Sequence, residues 1–222
     1  MSTAHIAEAM LVLVPMILSL SVHEFSHAWS AKLLGDDTAE SMGRLNLNPL
    51  SHIDPIGTIL LPLLLLLFAP GFMFGWAKPV PFNPTRFTRK ISMRTGAMIV
   101  ASAGPASNLV LAALSMGTLA VIFHGNLGAS VPEPVFVLLQ YMIMINVALA
   151  VFNMIPVYPL DGQKVLTGLL PAEIAMKFER FSAQYGTFLL MGVILFASNL
   201  IAIPFGFALR GLAALFGVPG FV

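Results

Sequence analysis

The segment "LSVHEFSHAWSAKLLGD" (residues 20–36) sets His23, Glu24 and His27 directly after a run from Ile6 to Val22 whose only formal charge is Glu8. On a helix, residues four apart lie one turn above each other on the same face. His23 and His27 can therefore converge on one zinc ion, with Glu24 beside it to take a proton from bound water. Zinc lowers the pKa of such a water to about 7, which makes hydroxide available at neutral pH. Two histidines satisfied by neighbouring carbonyls are the bland alternative. Ionisable groups inside a membrane are costly and mark function, which favours the metal.

The elements that must hold these residues are membrane helices. Of the 222 residues 58% are hydrophobic and only 9% charged, with mean hydropathy +0.90. Soluble domains carry about 25% charged residues, so most of this surface must face the lipid bilayer. The fold class is an all-α polytopic membrane protein. There is no cysteine, which excludes disulfides and thiolate metal sites and leaves His, Asp and Glu as ligands. A net charge of +1 without any Lys/Arg-rich run excludes nucleic acid as a partner. The N-terminus lacks the basic start of a cleavable signal peptide, so its apolar run is expected to be retained.

About 20 apolar residues cross a bilayer as a helix. Blocks of that order are Ile6–Ala31, Ile56–Trp76, Gly96–Phe123, Pro134–Leu160 and Tyr185–Leu209. The second contains Pro62 and then Pro70-Gly71, and proline breaks or kinks a helix. A re-entrant element that enters and leaves on one face is therefore expected. The charges agree. Lys32, Arg44, Lys78, Arg86, Arg89, Lys90 and Arg94 flank that block on both sides, and Lys164, Lys177 and Arg180 follow the fourth. With the second block re-entrant, all ten fall on one side, which the positive-inside rule makes cytoplasmic.

A catalytic zinc site takes three protein ligands and keeps one position open. Beyond Glu133 the acidic residues are Asp161, Glu173 and Glu179. The last two sit in an amphipathic segment, Ala172–Gln184, and read as a solvated face. Asp161 lies in "FNMIPVYPLDGQKVL" at the end of the fourth block. The first and fourth blocks bring their ends together only if they run parallel, and the re-entrant topology makes them do so. A capping or salt-bridging Asp161 is the competing reading. Pro156 and Pro159 interrupt the helix just before it and free backbone groups. A substrate peptide could extend against such an exposed edge, and Asn153 could hydrogen-bond that peptide or the developing oxyanion.

The stretch "ASAGPASNLVLAALS" (101–115) is rich in small residues, which let membrane helices approach closely. It is expected at the centre, bent at Gly104 and Pro105, with Asn108 bonding across to a partner or to substrate. His52, in "NPLSHIDPIG", reads as a loop hydrogen bond or as lining for the substrate path. His5 and His124 read as solvated. A metal-ion transporter or sensor is the alternative function, but it predicts several ligand clusters along a route, and the sequence carries one.

These residues together resemble the site-2 protease family of intramembrane zinc metalloproteases, in its short prokaryotic branch without PDZ domains. The resemblance rests on H-E-x-x-H at His23–His27 paired with N-x-x-P-x-x-P-L-D-G at Asn153–Gly162, on "AGPASN", and on "GRLNLNPLSHIDPIGT" and "FGWAKPVPFNP". It implies zinc bound by His23, His27 and Asp161, with Glu24 as general base and acid. It implies that Asn153 helps hold the substrate chain, and that a membrane-associated loop receives the substrate as a strand. It also implies cleavage of transmembrane protein or peptide substrates near the cytoplasmic face of a prokaryotic cell membrane. The expected fold is then a three-helix catalytic core plus the re-entrant element and a C-terminal helix or helices. One domain would cover 1–222, with its core at about 6–170 and a C-terminal membrane segment at about 185–215.

Overall fold

The computed structural model describes residues 3–68, 75–196 and 199–218, and every regular element among them is helical. The first apolar run winds into α1, Thr3–Leu33, of which Leu11–Leu33 is apolar enough to cross a membrane. At its end Asp36 replaces helical bonds with side-chain ones. Its carboxylate accepts from Thr38 N at 3.0 Å and from Asn83 N at 2.6 Å, pinning the short α2 (Thr38–Ser41) to a segment almost fifty residues on.

The second block does not behave as a span. Asp54 caps it by accepting from Ile56 N and Gly57 N. A π-helical turn (Pro55–Leu60) then runs into α3, Leu61–Phe68. Fourteen residues at 1.5 Å each reach roughly 21 Å, short of the ~30 Å hydrocarbon core. On the way back Trp76 N donates to Gly57 O at 3.1 Å, and Thr58 Oγ1 donates to Trp76 O at 2.7 Å. The chain thus returns to the point where it entered, the geometry expected of a re-entrant element. Gly57 permits this closure because a Cβ there would overlap the Trp76 indole. The Pro70-Gly71 pair lies outside the described residues.

An extended stretch follows, and alternate residues bond to the body. Lys78 N donates to His52 O at 2.9 Å, Arg44 Nη2 donates to Lys78 O at 2.7 Å, and Val80 N donates to Glu24 Oε2 at 2.8 Å. Thr88 N then bonds Leu34 O at 2.7 Å, which starts α4 (Met93–His124) beside the end of α1. α4 runs back between α1 and α5 (Glu133–Asn153), so α1 and α5 are parallel. Ala28 and Ala31 of α1 and Ala101, Gly104 and Ala112 of α4 are buried. Residues this small let the backbones approach closely.

Within the fourth block the helix ends at Asn153, in keeping with the interruption expected from Pro156 and Pro159. Asp161 instead opens a separate helix, α6 (Asp161–Leu169). The described residues of the fifth block lie in α7 (Ala172–Phe196) and α8 (Asn199–Phe216), with Pro204 inside α8. The amphipathic segment is the first half of α7. Among the described residues four helices are long and apolar enough to cross: α1, α4, α5 and α8. Leu209 and Ala213 of α8 close a core with Ala112, Met116, Ile143 and Val147.

Basic side chains gather at one end. Arg94 Nη2 donates to Thr167 O at 2.6 Å and to Leu170 O, Lys164 lies 4.6 Å from the Phe82 ring centre, and Arg86 and Lys32 pair with Asp37 and Glu40. Because the chain has no cysteine, single replacements report sidedness directly. Ser41→Cys, Arg89→Cys and Lys164→Cys are expected to react with an impermeant maleimide from one face, and Ser130→Cys from the other. Labelling of Ser41→Cys and Arg89→Cys from opposite faces would show that the second block crosses.

Candidate metal centre

The helical spacing that put His23 and His27 on one face also aims them at a common point. Their Nε2 atoms lie 3.0 Å apart. Asp161 Oδ2 is 3.2 Å from each. The two histidines and Glu24 are buried, and Asp161 nearly so. Among the described residues this is the one group of three or more such side chains arranged to share an ion.

The hydrogen-bond directions test whether the cluster suits a cation. His27 Nδ1 lies 2.7 Å from Val100 O, and a carbonyl only accepts, so Nδ1 carries the hydrogen. His23 Nδ1 faces Asn108 Oδ1 at 2.6 Å and donates likewise. In neutral rings both Nε2 atoms are then bare lone pairs. Three acceptors face one another with no hydrogen between them, in surroundings of low dielectric where their repulsion is strong. A dication relieves it. Ligands about 2.0–2.1 Å from one zinc at tetrahedral angles stand roughly 3.3 Å apart, close to the separations seen here. Two imidazoles and a carboxylate, with a fourth position left over, make a zinc donor set of the catalytic kind.

The third helix supplies the space. A Cβ on Gly104 would lie 2.5 Å from His27 Nε2 and 2.6 Å from His23 Nε2, filling the ground beside both donor atoms. Gly162 acts similarly one residue after Asp161. A Cβ there would strike the Met154 and Ile155 backbone, so only glycine lets α6 start close enough to present the aspartate. Gly104 was expected only to bend and pack the helix, and its role at the donor atoms is visible only in three dimensions.

Glu24 sits on the same turn as His23, and its Oε2 accepts from the Val80 amide. Asn153 is half-buried on the last turn of α5, with Nδ2 donating to Leu149 O at 2.9 Å. Pro156 is exposed in the turn before Asp161. Of the two readings offered for Asn108 and for His52, the hydrogen bonds match the one within the protein. Asn108 is fully buried behind His23, its amide spent on His23, Asn146 and Ser19. His52 is also buried, and its Nε2 donates to Asn46 O at 2.8 Å, the loop hydrogen bond read as one option from the sequence. His124 Nε2 bonds Phe216 O at 3.3 Å, outside the cluster.

The Gly104 geometry yields a test. Alanine favours helix over glycine by about 0.5–1 kcal/mol, so the cost of Gly104→Ala is expected to come from the Cβ against the two imidazoles and not from the α4 backbone. The same variant is expected to lose bound zinc by at least about tenfold in affinity, as disturbing the surroundings of metal ligands does. Unchanged zinc stoichiometry and affinity in Gly104→Ala would contradict the placement of the ion.

The family model described as Peptidase family M50 matches residues 116–195. YwhC of Bacillus subtilis, provisionally named a zinc metalloprotease, is 36% identical over 178 residues, covering 79% of this chain and 75% of that protein. Rip2 of Mycolicibacterium smegmatis, with the same provisional naming, is 29% identical over 166 residues, 73% of this chain and 58% of that protein. Rip2 of Mycobacterium tuberculosis is 28% identical over 159 residues, 70% of this chain and 56% of that protein. No solved structure matches the chain. With YwhC aligned along three quarters of its length and the paired motifs in place, the chain belongs to peptidase family M50, the site-2 protease family.

Proposed function

We propose that this family member, a zinc metalloendopeptidase embedded in the bilayer, hydrolyses peptide bonds of transmembrane protein or peptide substrates near the cytoplasmic face of a prokaryotic cell membrane. The observation that carries the reading is the meeting of three bare electron pairs, two from α1 and one from α6, at separations a single zinc satisfies. In this reading His23, His27 and Asp161 hold the ion. When bound, zinc supplies Lewis acidity that polarises a peptide carbonyl and acidifies water.

The chain's own groups do the rest. With Oε2 held by the Val80 amide, Glu24 presents Oε1 to the water. It takes a proton as the water oxygen bonds to the carbonyl carbon. It returns that proton to the amide nitrogen as the C–N bond breaks, so base becomes acid within one turnover. A membrane-spanning substrate is helical, and its peptide bonds are shielded until the chain extends. The interrupted backbone at 154–160, broken at Pro156, offers an edge for that extension, and Asn153 beside it offers an amide to hold the chain. Ten of the eleven Lys and Arg residues flank this end of the bundle, which supports its cytoplasmic orientation. A single cluster among the described residues argues for a reaction centre over an ion route.

Glu24→Gln is expected to cut hydrolysis of a reporter membrane peptide by about 10²–10⁴-fold, the usual share of general acid–base catalysis, with zinc still bound. Asp161→Ala is expected to lose zinc itself, and chelation of the wild type to abolish cleavage until zinc is restored. Full turnover by Glu24→Gln, or zinc retained undiminished by Asp161→Ala, would refute these roles.

A further inference from the structure

The hydrogen bonds behind His23 form a directed chain across the three core helices. It starts on α5 at Met142 O, a backbone carbonyl that only accepts. The Asn146 atom 2.7 Å from it is therefore the NH2 group, which also donates to Ser19 Oγ at 2.8 Å. That orientation turns Asn146 Oδ1 toward Asn108 of α4, which answers with its own NH2 at 2.8 Å. Ser19 O, a second carbonyl, accepts from the same NH2 at 3.4 Å. Asn108 is left showing Oδ1 to His23 Nδ1 at 2.6 Å.

Each step fixes the next. An amide oxygen cannot donate, so His23 Nδ1 carries the hydrogen and a neutral ring keeps its lone pair on Nε2, the atom facing Asp161 and His27. A reversed Asn108 amide would push that hydrogen to Nε2, into the space between the donor atoms. Ser19, Asn108 and Asn146 are all fully buried, so no solvent competes. Interhelical hydrogen bonding alone accounts for polar residues here but not for a chain whose direction is set at a carbonyl and ends on a ligand's second nitrogen.

We infer that Asn146 and Asn108 are positioning residues that set the tautomer of His23. Zinc affinity then depends on Asn146, two hydrogen bonds from the ligand, on a helix that contributes no ligand. The inference rests on His23 holding zinc through Nε2.

The test uses the purified full chain, with zinc affinity from chelator competition and histidine ring states from ¹⁵N spectra. Metal-stripped wild type is expected to show His23 with its hydrogen on Nδ1, the signal identified by its loss in His23→Gln. Asn108→Leu is expected to raise the zinc Kd by about 10–100-fold, the usual cost of losing a ligand's outer hydrogen bond, and Asn146→Leu to raise it by roughly tenfold. Both are expected to mix the two His23 tautomers. Asn108→Asp keeps an acceptor for Nδ1 and is expected to stay within about threefold of wild type. A packing role would lower thermal stability in the leucine variants and leave the His23 signal and zinc Kd where they were. That result would overturn the inference. So would a wild-type His23 with its hydrogen on Nε2. Wild type that binds no zinc would instead sink the metal reading, while the tautomer would still judge the hydrogen-bond chain.

Discussion

Three electron-pair donors pressed within 3.0–3.2 Å of one another inside a helical bundle are the constraint from which the rest of this structure follows. Left alone they repel, and burial removes the water that would soften the repulsion. The protein therefore has to hold them against their own preference. α1 does so by spacing, since residues four apart share a face. α4 does so by lacking a side chain at Gly104 and by anchoring the outer nitrogens of both rings, through Val100 O and Asn108 Oδ1. α6 does so by placing the aspartate in its first turn.

That last placement has its own physics. Asp161 lies at the N-terminal end of α6, where unpaired amides and the helix dipole favour a negative charge. The helix is held at both ends. Gly162 lets it start against the Met154 and Ile155 backbone, and Arg94 caps its far end through Thr167 O and Leu170 O. α7 braces the turn that precedes it, since Ser182 Oγ accepts from Tyr158 N at 3.0 Å and Gly186 leaves room for Tyr158. The third donor thus comes from a short, clamped helix outside the membrane-crossing segments, and its position depends on contacts spread from residue 94 to residue 186.

The sequence made legible whatever depends on local period or on charge counted along the chain. His23 and His27 share a face by spacing alone. The parallel course of the first and fourth blocks followed from where the lysines and arginines fall, and that course brought Asp161 into range. Properties set by distant neighbours stayed hidden. Gly104 sits in a run of small residues that reads as packing, and what its missing Cβ would touch is set by another helix. Asn146 is a lone amide in "MIMINVALA" with no local mark of its partners. Asn108 and His52 read as bonded within the protein or turned to substrate, because their partners, Asn146 and Asn46 O, cannot be paired from one dimension. The Val80 amide is a backbone group, which residue identity does not advertise.

The re-entrant stretch shows how these pieces are coupled. From Trp76 to Val80 the alternate residues spend their backbone groups on Gly57, Thr58, His52, Arg44 and Glu24. Extended backbone points intervening residues to the opposite edge; of these Pro79 has no N–H to give, nor has Pro81 just beyond. That edge can accept hydrogen bonds at its carbonyls but cannot complete a regular ladder, which is why this extended chain stands alone without a sheet partner among the described residues. Its inner edge ends on the glutamate beside the metal-binding face. The Val80 bond fixes one carboxylate oxygen of Glu24, and the Trp76–Gly57 closure fixes the stretch that carries Val80. Displacing the re-entrant element would therefore cost Glu24 Oε2 its amide donor, so the seating of this stretch and the orientation of that carboxylate are coupled.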